Sequence, residues 1–163
     1  MDTKFSPLIK GLITGVTMLV FALIMYFTKQ TGASNLQYIN YVLYAAGIFW
    51  TVFAYSRTAQ YTGKFGDIFA QGFRCFVIVT LVMVTFTGVF SKMHPEFAEE
   101  SAVYYKEDLI KNEKNRTPAE IDEKVALYKK QFTTGLVSTA IFGYLIIGAM
   151  FTAILSALLK KRN

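Results

Sequence analysis

The chain has 163 residues, of which 53% are hydrophobic and only 17% charged, where a soluble domain carries about a quarter charged. Its net charge of +6 forms no basic stripe on a soluble module, which excludes a nucleic-acid partner, and one cysteine excludes an intramolecular disulfide or a thiolate cluster. The length suits a single helical domain.

The apolar residues fall into four uncharged runs: Gly11 to Thr28 (18 residues), Leu36 to Ser56 (21), Cys75 to Ser91 (17) and Gln131 to Leu159 (29). As helices rising 1.5 Å per residue these measure about 27, 32, 26 and 44 Å, against a hydrocarbon core of roughly 30 Å. A soluble bundle would place charge along one face of each helix, whereas here the charges lie between the runs. The sequence therefore predicts an all-α integral membrane four-helix bundle, with spans at about 8–27, 37–56, 73–91 and 132–159 in a single domain covering 1–163.

The first run follows Lys4 and Lys10 and precedes Thr31-Gly32-Ala33, as in a signal peptide. It is longer than a signal core and further spans follow, so it reads as a retained helix. Gln30 to Asn35 has turn chemistry. The second span carries aromatic residues towards both ends, and Tyr38, Trp50 and Tyr55 are the expected interface anchors.

Between Arg57 and Arg74, Phe65, Phe69 and Phe73 recur every four residues after a turn. This spacing predicts a short amphipathic interfacial helix over 65–73 ahead of the third span, with the three phenylalanines anchoring it. Cys75 reads as a small apolar side chain near or in the membrane.

The long polar connection, Lys92 to Lys130, predicts an extramembrane helical hairpin at about 95–131. Pro95 can open a helix through Glu96, Phe97, Tyr104 and Leu109, closing in a turn at Lys111 to Arg116. Thr117-Pro118-Ala119-Glu120 is a capping box with proline at the first helical position. The helix it starts is predicted to continue into the fourth span. Phe97, Tyr104, Tyr105 and Leu109 are the candidate residues for contact with a partner.

Small residues mark candidate helix contacts: Gly11 and Gly15 in the first span, Gly135, Thr139 and Gly143 on one stripe of the fourth, and Ala149, Ala153 and Ala157 on another. They are assigned to packing within the bundle, with a homo-oligomer or a membrane protein complex as the alternative use. Eight Lys/Arg lie in the short segments on the side of the termini, against nine on the other side that are diluted by nine Asp/Glu of the long connection. Density along the chain thus orients both termini towards the cytoplasm.

No ionisable residue is expected deep within a span, which argues against ion-coupled transport. His94 is the only histidine, so bis-histidine haem ligation and a His-rich metal site are excluded within one chain. No catalytic, metal or cofactor residue is assigned, and the expected partners are membrane lipids and other membrane proteins.

Gly11-Leu12-Ile13-Thr14-Gly15 and the stretch from Gly63-Lys64-Phe65-Gly66-Asp67 to Gly72-Phe73-Arg74, with the charged connection and final span, resemble an uncharacterised family. It is the four-span membrane proteins of Bacteroidota termed domain of unknown function 4199. The resemblance runs from about Phe5 to Leu159 and implies the inner membrane of a Gram-negative bacterium, with no catalytic residue to carry over. The leading functional expectation is a structural or accessory membrane protein, not an enzyme, whose outer hairpin contacts a partner. A small channel or transporter lined by Thr80, Thr85, Thr87 and Thr139 is the alternative. Less favoured is a lipid-acting enzyme built on His94 beside Glu96 or Glu99.

Overall fold

The computed structural model describes residues 5–28, 37–112 and 117–161. It contains helices α1 (Pro7–Phe27), α2 (Gln37–Ser56), α3 (Phe65–Met93), α4 (Glu96–Asn112) and α5 (Pro118–Leu159). The turn expected at Gln30 to Asn35, and most of that expected at Lys111 to Arg116, lie outside the described residues. Helices α1, α2, α3 and α5 are long and apolar enough to cross a bilayer. The fold is all-α, with four spanning helices and an extramembrane helix, α4, between the third and the last.

Local chemistry sets the helix ends. Ser6 caps α1, its hydroxyl accepting from the Ile9 N–H at 3.3 Å, and Pro7 occupies the first turn, where its missing N–H costs nothing. After α2 the chain turns through Gly63 at φ +73°, a left-handed conformation in which glycine carries no steric penalty. The Thr62 hydroxyl then accepts from the Lys64 N–H at 3.1 Å and donates to Asp67 at 2.6 Å, and α3 begins.

The third helix differs from expectation. Residues 65–73 are not a separate interfacial helix but the opening turns of α3, which runs unbroken for 29 residues. The spacing that suggested a separate element also explains the continuity: Phe65, Phe69 and Phe73 stack successively at 5.9 and 6.4 Å along one face, and no breaker separates them from the span. Pro95 ends the polypeptide's run between α3 and α4, because proline disfavours helical geometry in the residue before it. At α5 the capping box forms reciprocally, the Thr117 N–H donating to Glu120 at 2.8 Å and the Glu120 N–H to the Thr117 hydroxyl at 3.4 Å. Helix α5 continues for 42 residues, about 63 Å at 1.5 Å per residue and roughly twice what a span needs.

Two compact units divide the chain, one of residues 1–84 and 141–163, the other of 85–140. In the first, the buried residues include Met18 of α1, Tyr44, Ile48 and Val52 of α2, and Ile68, Cys75 and Val79 of α3. The opposite faces expose Leu12, Val16, Val20 and Ile24 on α1 and Phe142, Ile146, Met150 and Ile154 on α5. Such an apolar exterior fits lipid as its solvent.

In the second unit α4 lies antiparallel to the start of α5. Glu99 pairs with Lys129 at 3.6 Å, and Lys106 with Asp122 at 2.6 Å, so rising numbers on one helix meet falling numbers on the other. Tyr105 and Tyr128 stack at 4.5 Å between them, over buried Ala102, Leu109 and Ile121. The end of α3 joins this unit through Ser91, whose hydroxyl lies 2.9 Å from that of Thr133.

Candidate functional site

Lipid offers no hydrophobic drive for helix association, so backbones must approach closely enough for dispersion and hydrogen bonds to act. The first unit does this at glycines. A Cβ on Gly11 would lie 2.6 Å from the Cys75 carbonyl oxygen, and one on Gly15 would lie 3.0 Å from Val82 Cβ, so both predicted residues seat α1 on α3. Three further glycines are as tightly covered: Gly47 by Thr14, Gly72 by Thr152 and Val52, and Gly148 by Tyr44 and Phe76.

The contact stripe on α5 is therefore Gly148, Thr152 and Ser156, all buried. It lies one residue N-terminal to the predicted stripe: Ala149 and Ala153 are half-buried and Ala157 is exposed. Among the described residues nothing lies within 4 Å of a Cβ built on Gly135 or Gly143, and Thr139 is exposed. A groove of about 370 Å³ opens along this part of α5, lined by Tyr128, Gln131, Phe132, Gly135, Leu136 and Thr139.

Hydroxyls in the first unit are turned back onto the helices. Thr14, Thr51, Thr80 and Ser156 each donate to the carbonyl four residues earlier, at 2.7 to 3.0 Å. Tyr44 instead reaches across to α5, donating to the Tyr144 carbonyl at 2.9 Å with its ring perpendicular to that of Tyr144. The absence of a side chain at Gly148 makes room for that hydroxyl. Among the residues named for a channel path, Thr80 is buried with its hydroxyl spent on Phe76, Thr85 is exposed and Thr87 is half-buried.

At the end of this unit where α1 and α3 begin and α2 and α5 finish, three cations lie over aromatic rings. Lys10 sits 5.5 Å from the Trp50 ring, Arg57 4.4 Å from Phe53 and Lys161 5.3 Å from Tyr61. Tyr61 also donates its hydroxyl to the Leu159 carbonyl, and the Lys161 N–H donates to the Gly63 carbonyl at 3.0 Å, so the loop after α2 fastens the end of α5. Of the predicted anchors, Tyr38, Trp50, Phe65 and Phe73 are exposed and Phe69 is half-buried. Tyr55 is half-buried, with its hydroxyl on the Gln60 carbonyl at 3.1 Å and its ring against Tyr61.

In the second unit, Leu109 is buried inside the hairpin and Tyr105 is occupied with Tyr128, which withdraws both from the surface where a partner contact was expected. Phe97 is half-buried beside the rings of His94 and Phe90. Only Tyr104 of the four is freely exposed, at 73%, joined on α4 by Val103 and Ile110, which sequence reasoning passed over. Their signal was present as an apolar residue repeated seven positions on, on a face that Leu109 does not share.

His94 Nδ1 lies 2.7 Å from Glu96, whereas Glu99, the other carboxylate considered beside it, turns to Lys129. The Glu96 carboxyl is held below the usual carboxylate range, first by a hydrogen bond from its own backbone N–H and then by the one from His94. Among the described residues no three His, Cys, Asp or Glu side chains gather as a metal site.

Four apolar helices joined through glycine contacts and back-bonded hydroxyls define a multi-span helical membrane protein. The chain belongs to the family described as Protein of unknown function (DUF4199), which it matches over residues 10–161. No curated protein matches it, and no solved structure does.

Proposed function

We propose that this is a structural or accessory protein without enzymatic activity, holding a membrane partner through the outward face of the α4–α5 hairpin. The observation that carries the reading is the exposure of Val103, Tyr104 and Ile110 on a helix outside the membrane, where apolar side chains gain nothing from lipid. The hairpin is internally complete, with its own buried residues, stacked tyrosines and ion pairs. It can therefore present that face without ordering it on binding. We place the protein in a bacterial inner membrane on its resemblance to the four-span family, and orient both termini to the cytoplasm and the hairpin to the periplasm on the density of Lys and Arg in the short segments beside the termini.

The test is a photoreactive side chain at position 104 or 110 in the full chain, in its own membrane. The expected result is a discrete protein adduct from either position, and none from the buried position 109. A chain that yields no protein adduct from 104 or 110, and that gentle extraction releases as a lone monomer in native mass spectrometry, would overturn the reading.

A further inference from the structure

Lys10 lies in the first turn of α1, next to Gly11, which seats that helix on α3. It is only 4% exposed, although it is a lysine at the start of a spanning helix. The positioning of its neighbours explains why: with Gly11 against Cys75 and Thr14 against Gly47, the aliphatic stem is held among α1, α2 and α3. The ammonium lies 5.5 Å from the centre of the Trp50 ring, and that ring is 41% exposed, so the group beside the charge reaches the exterior of α2. No carboxylate among the described residues forms an ion pair with it.

The described residues around Lys10 contain little negative charge. In this unit the described basic residues are Lys10, Arg57, Lys64, Arg74, Lys160 and Lys161, all towards the same helix ends, and the one described acid is Asp67, which accepts the Thr62 hydroxyl. A desolvated cation without a counter-ion is costly, and a ring of further cations raises that cost. Among the described residues no carboxylate supplies that charge, and the exposed indole beside the ammonium lies at the level where headgroups lie.

We propose that Lys10 and Trp50 form the seat of an anionic phospholipid headgroup, the phosphodiester meeting the ammonium while the acyl chains run along Trp50 and the exposed face of α1. The surrounding basic residues draw anionic lipid to this end, and Lys10 fixes one molecule there. A basic residue near the surface contributes about 1 kcal/mol to such attraction, which corresponds to about a fivefold change in occupancy.

Trp50 is the only tryptophan, so it reports on its own site. The full chain is placed in phosphatidylcholine nanodiscs containing a small fraction of lipid brominated on its acyl chains, which quenches tryptophan on contact. Brominated phosphatidylglycerol is expected to quench Trp50 at a lower mole fraction than brominated phosphatidylcholine. Lys10→Gln should raise that mole fraction about fivefold, Lys10→Arg should keep the preference, and Lys106→Gln, in the hairpin, should leave it unchanged. Equal quenching by the two lipids in the unaltered chain overturns the proposal, and this comparison stands even if Lys10→Gln fails to fold. An unchanged preference in folded Lys10→Gln also overturns it. So does loss of the preference on adding inorganic phosphate at constant ionic strength, which would assign the cation to a free anion.

Discussion

Thr152 of α5 rests its side chain directly on the bare backbone of Gly72 of α3, and Val52 of α2 closes the same spot from the other side, 3.1 Å from where a Cβ would stand. Three helices therefore meet at one missing side chain. Gly72→Ala must push α5 or α2 outward, at an expected cost of about 1–3 kcal/mol for overpacking. Gly135→Ala is the opposite case. Nothing lies within 4 Å of its Cβ, so the substitution should be neutral, or stabilising by up to about 1 kcal/mol from helix propensity. Thermal unfolding of the two variants in the same detergent separates them. Equal loss in both would mean that helix contact at Gly72 does not hold the unit together.

Gly63 combines a left-handed backbone with a covering side chain, that of Lys161. Gly63→Ala meets the αL penalty of about 1–2 kcal/mol and also displaces the residue whose N–H it binds. The expected result is faster amide exchange at Lys160 and Lys161, with the centre of α5 unaffected. Lys161→Ala removes the covering side chain but leaves the N–H donor, so it should release the end less than Gly63→Ala does.

The hairpin separates residues that build it from residues that it displays. Tyr105→Ala removes an aromatic pair worth about 0.5–1.5 kcal/mol beyond its buried area and should speed amide exchange across α4. Lys106→Ala breaks an exposed ion pair and should cost less than about 1 kcal/mol. Tyr104→Ala, at a residue open to its surroundings, should leave exchange unchanged while weakening any partner cross-link. If Tyr104→Ala destabilises the hairpin as much as Tyr105→Ala does, the division between inner and outer faces is wrong.

The spans were legible because the bilayer sets a length and a solvent, and uncharged runs answer to both. The capping box at Thr117 was legible because it is a purely local exchange of two hydrogen bonds. The face of α5 was harder to read. Gly148-x-x-x-Thr152-x-x-x-Ser156 and Ala149-x-x-x-Ala153-x-x-x-Ala157 have the same period, and one residue of rotation, about 100°, separates them. What selects the first is the far side: Gly72 and the Tyr44 hydroxyl need partners that only a three-dimensional arrangement supplies. Lys10 was missed for a related reason. Lysine at a helix start reads as a topology signal, and only the seating of Gly11 and Thr14 shows that its stem is enclosed.

The pair at the junction of α3 and α4 should show itself in acid titration. Because the Glu96 carboxyl is held below its ordinary range, whatever stability it contributes is complete above the ordinary carboxylate value and is lost as pH falls through the lower, folded value. Its first support is its own backbone N–H at the start of α4, where the helix dipole also favours negative charge, and its second is His94. Removing the second with His94→Ala should therefore raise the Glu96 midpoint without returning it to the ordinary value. Removing the carboxylate with Glu96→Gln should abolish the acid-dependent fraying of the first turn of α4. Carbon-detected NMR of the carboxyl resonance measures the midpoint, and amide exchange at Phe97 and Ala98 measures the fraying. A Glu96 midpoint at the ordinary value in the unaltered chain would mean that neither hydrogen bond persists in solution.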